Sequence, residues 1–188
     1  MGDLFENSDI PTSSVQKPLA ETIRPNAFEE VVGQEHLFKK HGVLFNLIRG
    51  KKVGSFIIYG PPGTGKTTIS RILAKEIGLH FEELKAVGTN LSALRIEIEA
   101  AELRRKIGKG TVLFVDEIHR FNKSQQDFFL PYLENGTLSL IGATTENPSF
   151  EVISALLSRC QVFTLEHHSK NELEKILHSA LKKDEYIK

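Results

Sequence analysis

From residue 34 onward, stretches with an apolar residue at every third or fourth position alternate with short runs that are apolar throughout. The first period is that of a helix with one buried face, the second that of a strand covered on both sides. Gln34 to Arg49 reads as a helix offering Leu37, Val43, Leu44, Leu47 and Ile48 to a core. Ser55 to Tyr59 reads as a buried strand. The helix after it carries Ile69, Ile72, Leu73 and Ile77, and Gly78 is placed to stop it. Phe81 to Lys85 is a weaker strand, and Asn90 is placed to cap a helix through Lys106 with Leu91, Leu94, Ile98 and Ala101 on one face. Thr111 to Val115 is a strongly apolar strand. Asn122 to Glu134 reads as a helix whose last turn Pro131 should bend. Leu138 to Ala143 and Val162 to Leu165 are two more strands, and Ser169 to Lys182 closes as an amphipathic helix. Such alternation predicts an α/β fold, a parallel five-stranded sheet with helices on both faces, in three layers.

Candidate chemistry sits at the ends of these strands. Gly60-Pro61-Pro62-Gly63-Thr64-Gly65-Lys66-Thr67 spells G-x-x-x-x-G-K-[ST], between a predicted strand and a predicted helix. Glycines let the backbone wrap a polyphosphate and turn its N–H groups inward, and the helix that follows aims its positive end at the same group. Lys66 supplies the charge for the β and γ phosphates, and the Thr67 hydroxyl is a hard oxygen ligand for Mg²⁺. The strong strand runs into Asp116-Glu117, which delivers one carboxylate to the metal and a second to the attacking water. The bland alternative is an acidic pair opening a helix. The strand ending at Gly142-Ala143-Thr144-Thr145 sets two hydroxyls at the same edge, either of which could sense the γ-phosphate or hold the lytic water.

Phosphate loop, Asp-Glu pair, polar strand end and then Ser158-Arg159-Cys160, in that order, resemble the AAA+ ATPases. Ser158-Arg159-Cys160 is similar to the arginine-finger motif of clamp-loader subunits, which implies that Arg159 reaches a neighbouring subunit's ATP; the alternative is a surface salt bridge. Residues 23–34, Ile23-Arg24-Pro25 through Val31-Val32-Gly33-Gln34, resemble the segment that wraps the adenine in clamp loaders and in the RuvB branch-migration motor. Two stretches, Asp116-Glu117-Ile118-His119-Arg120-Phe121-Asn122-Lys123 and residues 141–150, resemble the RarA/MgsA family, relatives of the Mgs proteins and the Werner-helicase-interacting protein. The resemblance covers residues 18–188. It implies ATP and Mg²⁺ as cofactors, with Thr67 and Asp116 on the metal and Glu117, Thr145 and Arg159 catalytic. It also implies nucleotide contacts from Gly60 through Thr68 and from Arg24, Val31 and Val32.

Composition changes this picture little. At 188 residues there is room for one sizeable domain, and 24 Lys plus Arg balance 24 Asp plus Glu, which neither announces nor excludes nucleic acid. The single cysteine, Cys160, excludes an internal disulfide framework, and no apolar run approaches membrane-spanning length. The expectation is a cytoplasmic, nucleoid-associated protein with no membrane partner.

The expected organisation is a polar, flexible arm over residues 1–22, a nucleotide-binding domain over 23–166, and the start of a helical lid over 167–188. The resemblance makes the chain an N-terminal piece of a longer ATPase. It implies a DNA-stimulated ATPase of replication, recombination and repair, acting as a homo-oligomer, a tetramer, on forked, gapped or single-stranded DNA, with a single-strand DNA-binding protein as a further partner. A clamp-loader-like subunit, a RuvB-like motor and a non-hydrolysing nucleotide-binding scaffold stand as alternatives. Candidate DNA contacts are His119, Arg120 and Lys123, and the basic cluster Arg104-Arg105-Lys106 with Lys109.

Overall fold

The computed structural model describes residues 18–38, 42–50 and 54–183. Its centre is a five-stranded sheet of β1 (Ser55–Tyr59), β2 (His80–Lys85), β3 (Thr111–Asp116), β4 (Ser139–Thr144) and β5 (Cys160–Thr164). All pairings are parallel, in the order β2-β3-β4-β1-β5. The helices described are α1 (Leu19–Thr22), α2 (Glu35–Phe38) and α3 (Val43–Gly50) before β1, then α4 (Lys66–Ile77), α5 (Leu91–Lys106), α6 (Lys123–Asp127), α7 (Leu130–Glu134), α8 (Pro148–Glu151) and α9 (Ser154–Leu157), and α10 (Lys170–Lys183) after β5. Parallel neighbours require crossovers, and α4 to α9 provide them.

Alternation along each strand sorts the core into two layers. Ile57, Leu113, Val115 and Leu140 face α5 and the α6–α9 segment, where Leu94, Ile98, Phe129 and Leu156 are buried. Phe56, Ile58, Val112, Phe114 and Ile141 face the other way, onto Leu37, Leu44, Ile69 and Leu73 of α2, α3 and α4. The three-layer parallel sheet is therefore as expected. Asn90 caps α5 by accepting from the Ala93 amide at 2.9 Å, and Gly78 ends α4 at φ 79°. On α5, Leu94, Ile98 and Ala101 are buried as expected, but Leu91 is exposed.

Other expectations need correction. The helix read from Gln34 to Arg49 is described as α2 and α3, with residues 39–41 outside the described set. Gln34 itself stands before α2, in the left-handed region at φ 56°. Its buried side-chain amide bonds both ways to the Glu166 backbone, donating to the carbonyl at 2.8 Å and accepting from the N–H at 3.0 Å. The helix read over 122–134 is two helices. Asn122 caps α6 in a reciprocal capping box with Gln125, and Pro131 lies in the first turn of α7. Proline lacks a backbone N–H that the first turn would leave unpaired anyway, so it starts a helix here instead of bending one. Of the arm expected over 1–22, residues 1–17 lie outside the described set, and α1 holds Glu21 against Arg24 at 2.6 Å. Among the described residues, no helix is long and apolar enough to cross a membrane.

Gly142 shows how tightly β4 is packed. An added Cβ would lie 2.7 Å from the Cδ1 atoms of both Ile118 and Ile57, which are fully buried. Overpacking of this kind costs about 1–3 kcal/mol, a drop of several degrees in Tm for a domain of this size. Gly142→Ala is expected to show that drop in a thermal melt; an unchanged Tm would contradict the contact.

Candidate nucleotide site

Three adjacent strands, β3, β4 and β1, bring their carboxyl ends together, the edge at which open parallel sheets place ligands. Beyond β1, Gly65 adopts φ 94°, in the region that favours glycine, and turns the chain directly into α4. The amides of Gly65, Lys66, Thr67 and Thr68 form the first turn of α4, which leaves them without intrahelical acceptors. The Thr64 hydroxyl donates to the Pro61 carbonyl at 2.8 Å and pins the loop.

The Lys66 ammonium lies inside its own loop, donating to the carbonyls of Gly60 and Pro61 at 2.7 and 2.8 Å. Burial holds its pKa below the ordinary lysine value, and the nearby Asp116 carboxylate partly offsets the shift. A half-desolvated cation at the mouth of a helix N-terminus favours an anion beside it.

A cavity of about 500 Å³ opens at this edge, within the usual range for small-molecule sites. It collects most of the residues expected from the sequence: Pro62 through Thr68 of the loop and helix, Asp116 at the end of β3 with Glu117 after it, and Thr145 just past β4. Arg24, Val31 and Val32 line it from the segment before α2. Arg24 is set by two bonds to Glu21 and donates to the Thr68 hydroxyl at 3.3 Å, which ties that segment to α4. Gly60 and Pro61 are not in the wall; their carbonyls hold Lys66.

The oxygen donors suit a nucleotide–Mg²⁺ pair. Thr67 and Asp116 offer one hydroxyl and one carboxylate. Among the described residues no cluster of three His, Cys, Asp or Glu could cage an ion. Mg²⁺ is held in that manner when substrate phosphates and water complete its shell. Polar groups come from the loop and strand ends, while Ile23, Val31, Val32 and Ile176 add apolar lining that suits a base.

Glu117 stands at φ 54°, ψ 45°, a left-handed conformation that costs a non-glycine residue about 1–2 kcal/mol. Its amide donates to Asp116 Oδ1 at 3.2 Å. The two threonines at the end of β4 part company. Thr144 is the last strand residue and is buried, bonded to His119, whereas Thr145 is exposed into the cavity.

Arg159 is not in the cavity wall. Its Nε donates to Glu134 at 2.8 Å, Nη2 makes a second bond to the same carboxylate, and Nη1 donates to the Ala155 carbonyl at 2.8 Å. Within this chain it is the surface ion pair that was the alternative reading. Burial pushes the adjacent Cys160 thiol up to about 12, so it stays neutral and serves packing. Of the DNA candidates, His119 is turned inward to Thr144, Arg104 leans on Glu82 at 3.7 Å, and Arg105 donates to Thr137 at 3.3 Å. Arg105, Arg120, Lys123, Lys106 and Lys109 are exposed.

Several wall residues were missed from the sequence. His168, just before α10, and Ile176 and Ser179 on α10 line the cavity, and no motif marks them. Gln126 is another residue without a signal, though outside the wall. Its buried amide donates to the carbonyls of Phe121 and Glu151 and accepts from the Ile153 N–H at 2.9 Å. It thereby fastens the turn after Glu117 to the segment that leads into α9.

The family model for the P-loop domain of the Holliday junction DNA helicase RuvB matches residues 23–165. The replication-associated recombination protein A of Coxiella burnetii is 49% identical over 168 residues, covering 89% of this chain and 38% of that protein. The ATPase WRNIP1 of Dictyostelium discoideum is 45% identical over 164 residues, covering 87% of this chain and 19% of that protein. Among solved structures, the Thermotoga maritima RuvB Holliday junction branch migration motor superposes with a TM-score of 0.69 at 29% identity, covering 86% of this chain and 54% of that one. The chain thus spans 38% of the first of these relatives and less of the second.

Proposed function

The chain belongs to the RuvB P-loop domain family, with relatives named replication-associated recombination protein A, and from that premise we propose that it binds and hydrolyses ATP to serve DNA replication, recombination and repair. The observation that carries the proposal is the convergence of the phosphate loop, the Asp116-Glu117 pair and Thr145 on one cavity from three adjacent strands.

Lys66 exchanges the Gly60 and Pro61 carbonyls for the β and γ phosphate oxygens, and the α4 amides hold the rest of the chain of phosphates. Thr67 and Asp116 would hold Mg²⁺, which neutralises charge on the transferring phosphoryl group when bound. Glu117 orients the attacking water and accepts its proton, and Thr145 holds the γ-phosphate or that water from the other side. Val31, Val32 and Arg24 cradle the base and sugar end. Arg159, directed away from its own cavity, acts on a neighbour's, so the active form is a homo-oligomer; the tetramer expected from the resemblance is part of this proposal. The DNA-facing groups are those left exposed, Arg105, Arg120, Lys123, Lys106 and Lys109.

The test is ATP turnover by the protein alone and with duplex, forked, gapped and single-stranded DNA. The expected result is basal hydrolysis raised several-fold by forked, gapped or single-stranded DNA, and less so at high salt because phosphate contacts release counterions. An equal rate with every DNA removes the DNA part of the proposal. Bound ATP with no turnover under any condition overturns the ATPase reading in favour of a scaffold.

A further inference from the structure

We propose that His119 is a positioning residue for hydrolysis, holding the turn that carries Glu117 against the end of β4 through the buried Thr144 hydroxyl. The inference rests on the ATPase reading above. It begins from the strained backbone at Glu117, with φ at 54°. Such a conformation persists only where the surroundings over-determine it. The bonds within the turn, Arg120 N–H to the Glu117 carbonyl at 2.8 Å and Phe121 N–H to the Ile118 carbonyl at 3.1 Å, shape it but do not attach it to the sheet. Two side chains do. Ile118, fully buried, sits in the notch left by Gly142, and His119 reaches Thr144 with Nδ1 to Oγ1 at 3.0 Å.

Thr144 is 1% exposed, and its hydroxyl has three partners. It accepts from the Glu146 N–H at 3.0 Å, donates to the Glu146 carbonyl at 3.1 Å, and meets His119 Nδ1. A hydroxyl has one proton and two lone pairs. With the proton on the Glu146 carbonyl and one lone pair taken by the Glu146 amide, the remaining lone pair accepts from His119. That assigns the proton to Nδ1 and leaves every group at the contact satisfied.

The same residue joins three parts of the site. The Thr144 carbonyl accepts from the Gly60 N–H at 3.1 Å, at the first residue of the phosphate loop. Thr145, next in the chain, lines the cavity. His119 lies two residues after Glu117. Thr144 thus sets the carboxylate of Glu117 in register with the loop that holds the phosphates. A general base misplaced by about 1 Å loses roughly a hundredfold in rate, while ground-state binding of nucleotide does not depend on it.

The experiment measures kcat and ATP affinity in the assembled, DNA-stimulated protein. His119→Leu is expected to lower kcat by about 10- to 100-fold and to leave affinity within about twofold. His119→Asn, whose amide nitrogen can stand where Nδ1 stands, recovers kcat to within about threefold of wild type. Thr144→Val reproduces the loss, and the double variant His119→Leu/Thr144→Val is no slower than the slower single, because both remove one bond. The inference is overturned if His119→Leu turns over normally, if it loses affinity as much as rate, if His119→Asn is as slow as His119→Leu, or if the two losses multiply. A wild-type protein that binds ATP without turnover sinks the ATPase reading and this inference together. Normal wild-type turnover with an indifferent His119→Leu sinks this inference alone.

Discussion

Replacing the Glu117 carboxylate by an amide, in Glu117→Gln, is expected to leave ATP bound and to stop its hydrolysis. The exchange keeps the size and the backbone of the residue, so the left-handed turn at φ 54° and its bond from the Glu117 amide to Asp116 are retained. Lys66, Thr67 and Asp116 still line the cavity, so the groups proposed to bind phosphate and metal remain. The lost property is basicity: a carboxylate at the cavity wall can accept a proton from water and an amide cannot. General-base removal costs on the order of 10²- to 10⁴-fold in turnover. A steady-state assay should show that loss, and protein passed through a desalting column after incubation with ATP and Mg²⁺ should retain unhydrolysed ATP. Wild-type turnover in Glu117→Gln would remove Glu117 from the catalytic role.

The phosphate side of the site was legible in the chain because a polyphosphate tolerates few backbones: glycines at fixed spacing, a lysine and a hydroxyl at the helix start. Each expected residue of that half from Pro62 to Thr68 lines the cavity, together with Asp116 and Glu117 from the strong strand. The order of the sheet was less legible than its class. Periodicity identifies strands but not which neighbour each takes, and only the pairings place β4 between β3 and β1. The pair Thr144-Thr145 shows a finer limit. Both are threonines at a strand end, and a shift of one residue in where the strand stops decides which is buried under His119 and which meets the cavity. At the base end Arg24, Val31 and Val32 line the cavity as expected, whereas the contribution from the α10 side depends on tertiary approach. His168, just before α10, and Ile176 and Ser179 on it reach the cavity, and the Glu166 backbone ahead of them is clipped to Gln34, a contact 132 residues apart with no local signature.

Removal of Arg159 should separate binding from turnover. Its guanidinium is held within its own chain by Glu134, the Ala155 carbonyl and the Ser158 hydroxyl, at the start of β5 and away from the cavity wall. The ion pair is solvent-exposed, with 37% and 55% of the two side chains accessible. Pairs of that kind contribute about 0–1 kcal/mol, so Arg159 can leave Glu134 for a phosphate of an adjoining subunit at little cost. Arg159→Ala should therefore melt within a degree or two of wild type and bind ATP nearly normally. Its turnover should fall by about 10³-fold or more, the magnitude carried by an arginine that meets transition-state charge. Lysine should restore little, since one point charge does not replace the planar fork. Mixing subunits gives the sharper readout. Arg159→Ala and Glu117→Gln proteins are each inactive alone, but an interface pairing the intact Glu117 of the first with the intact Arg159 of the second holds a complete site. Partial recovery of turnover on mixing is the expected result. Equal losses of binding and turnover in Arg159→Ala, or a mixture no faster than its parts under conditions where wild-type subunits exchange, would return Arg159 to the role of a surface ion pair with Glu134.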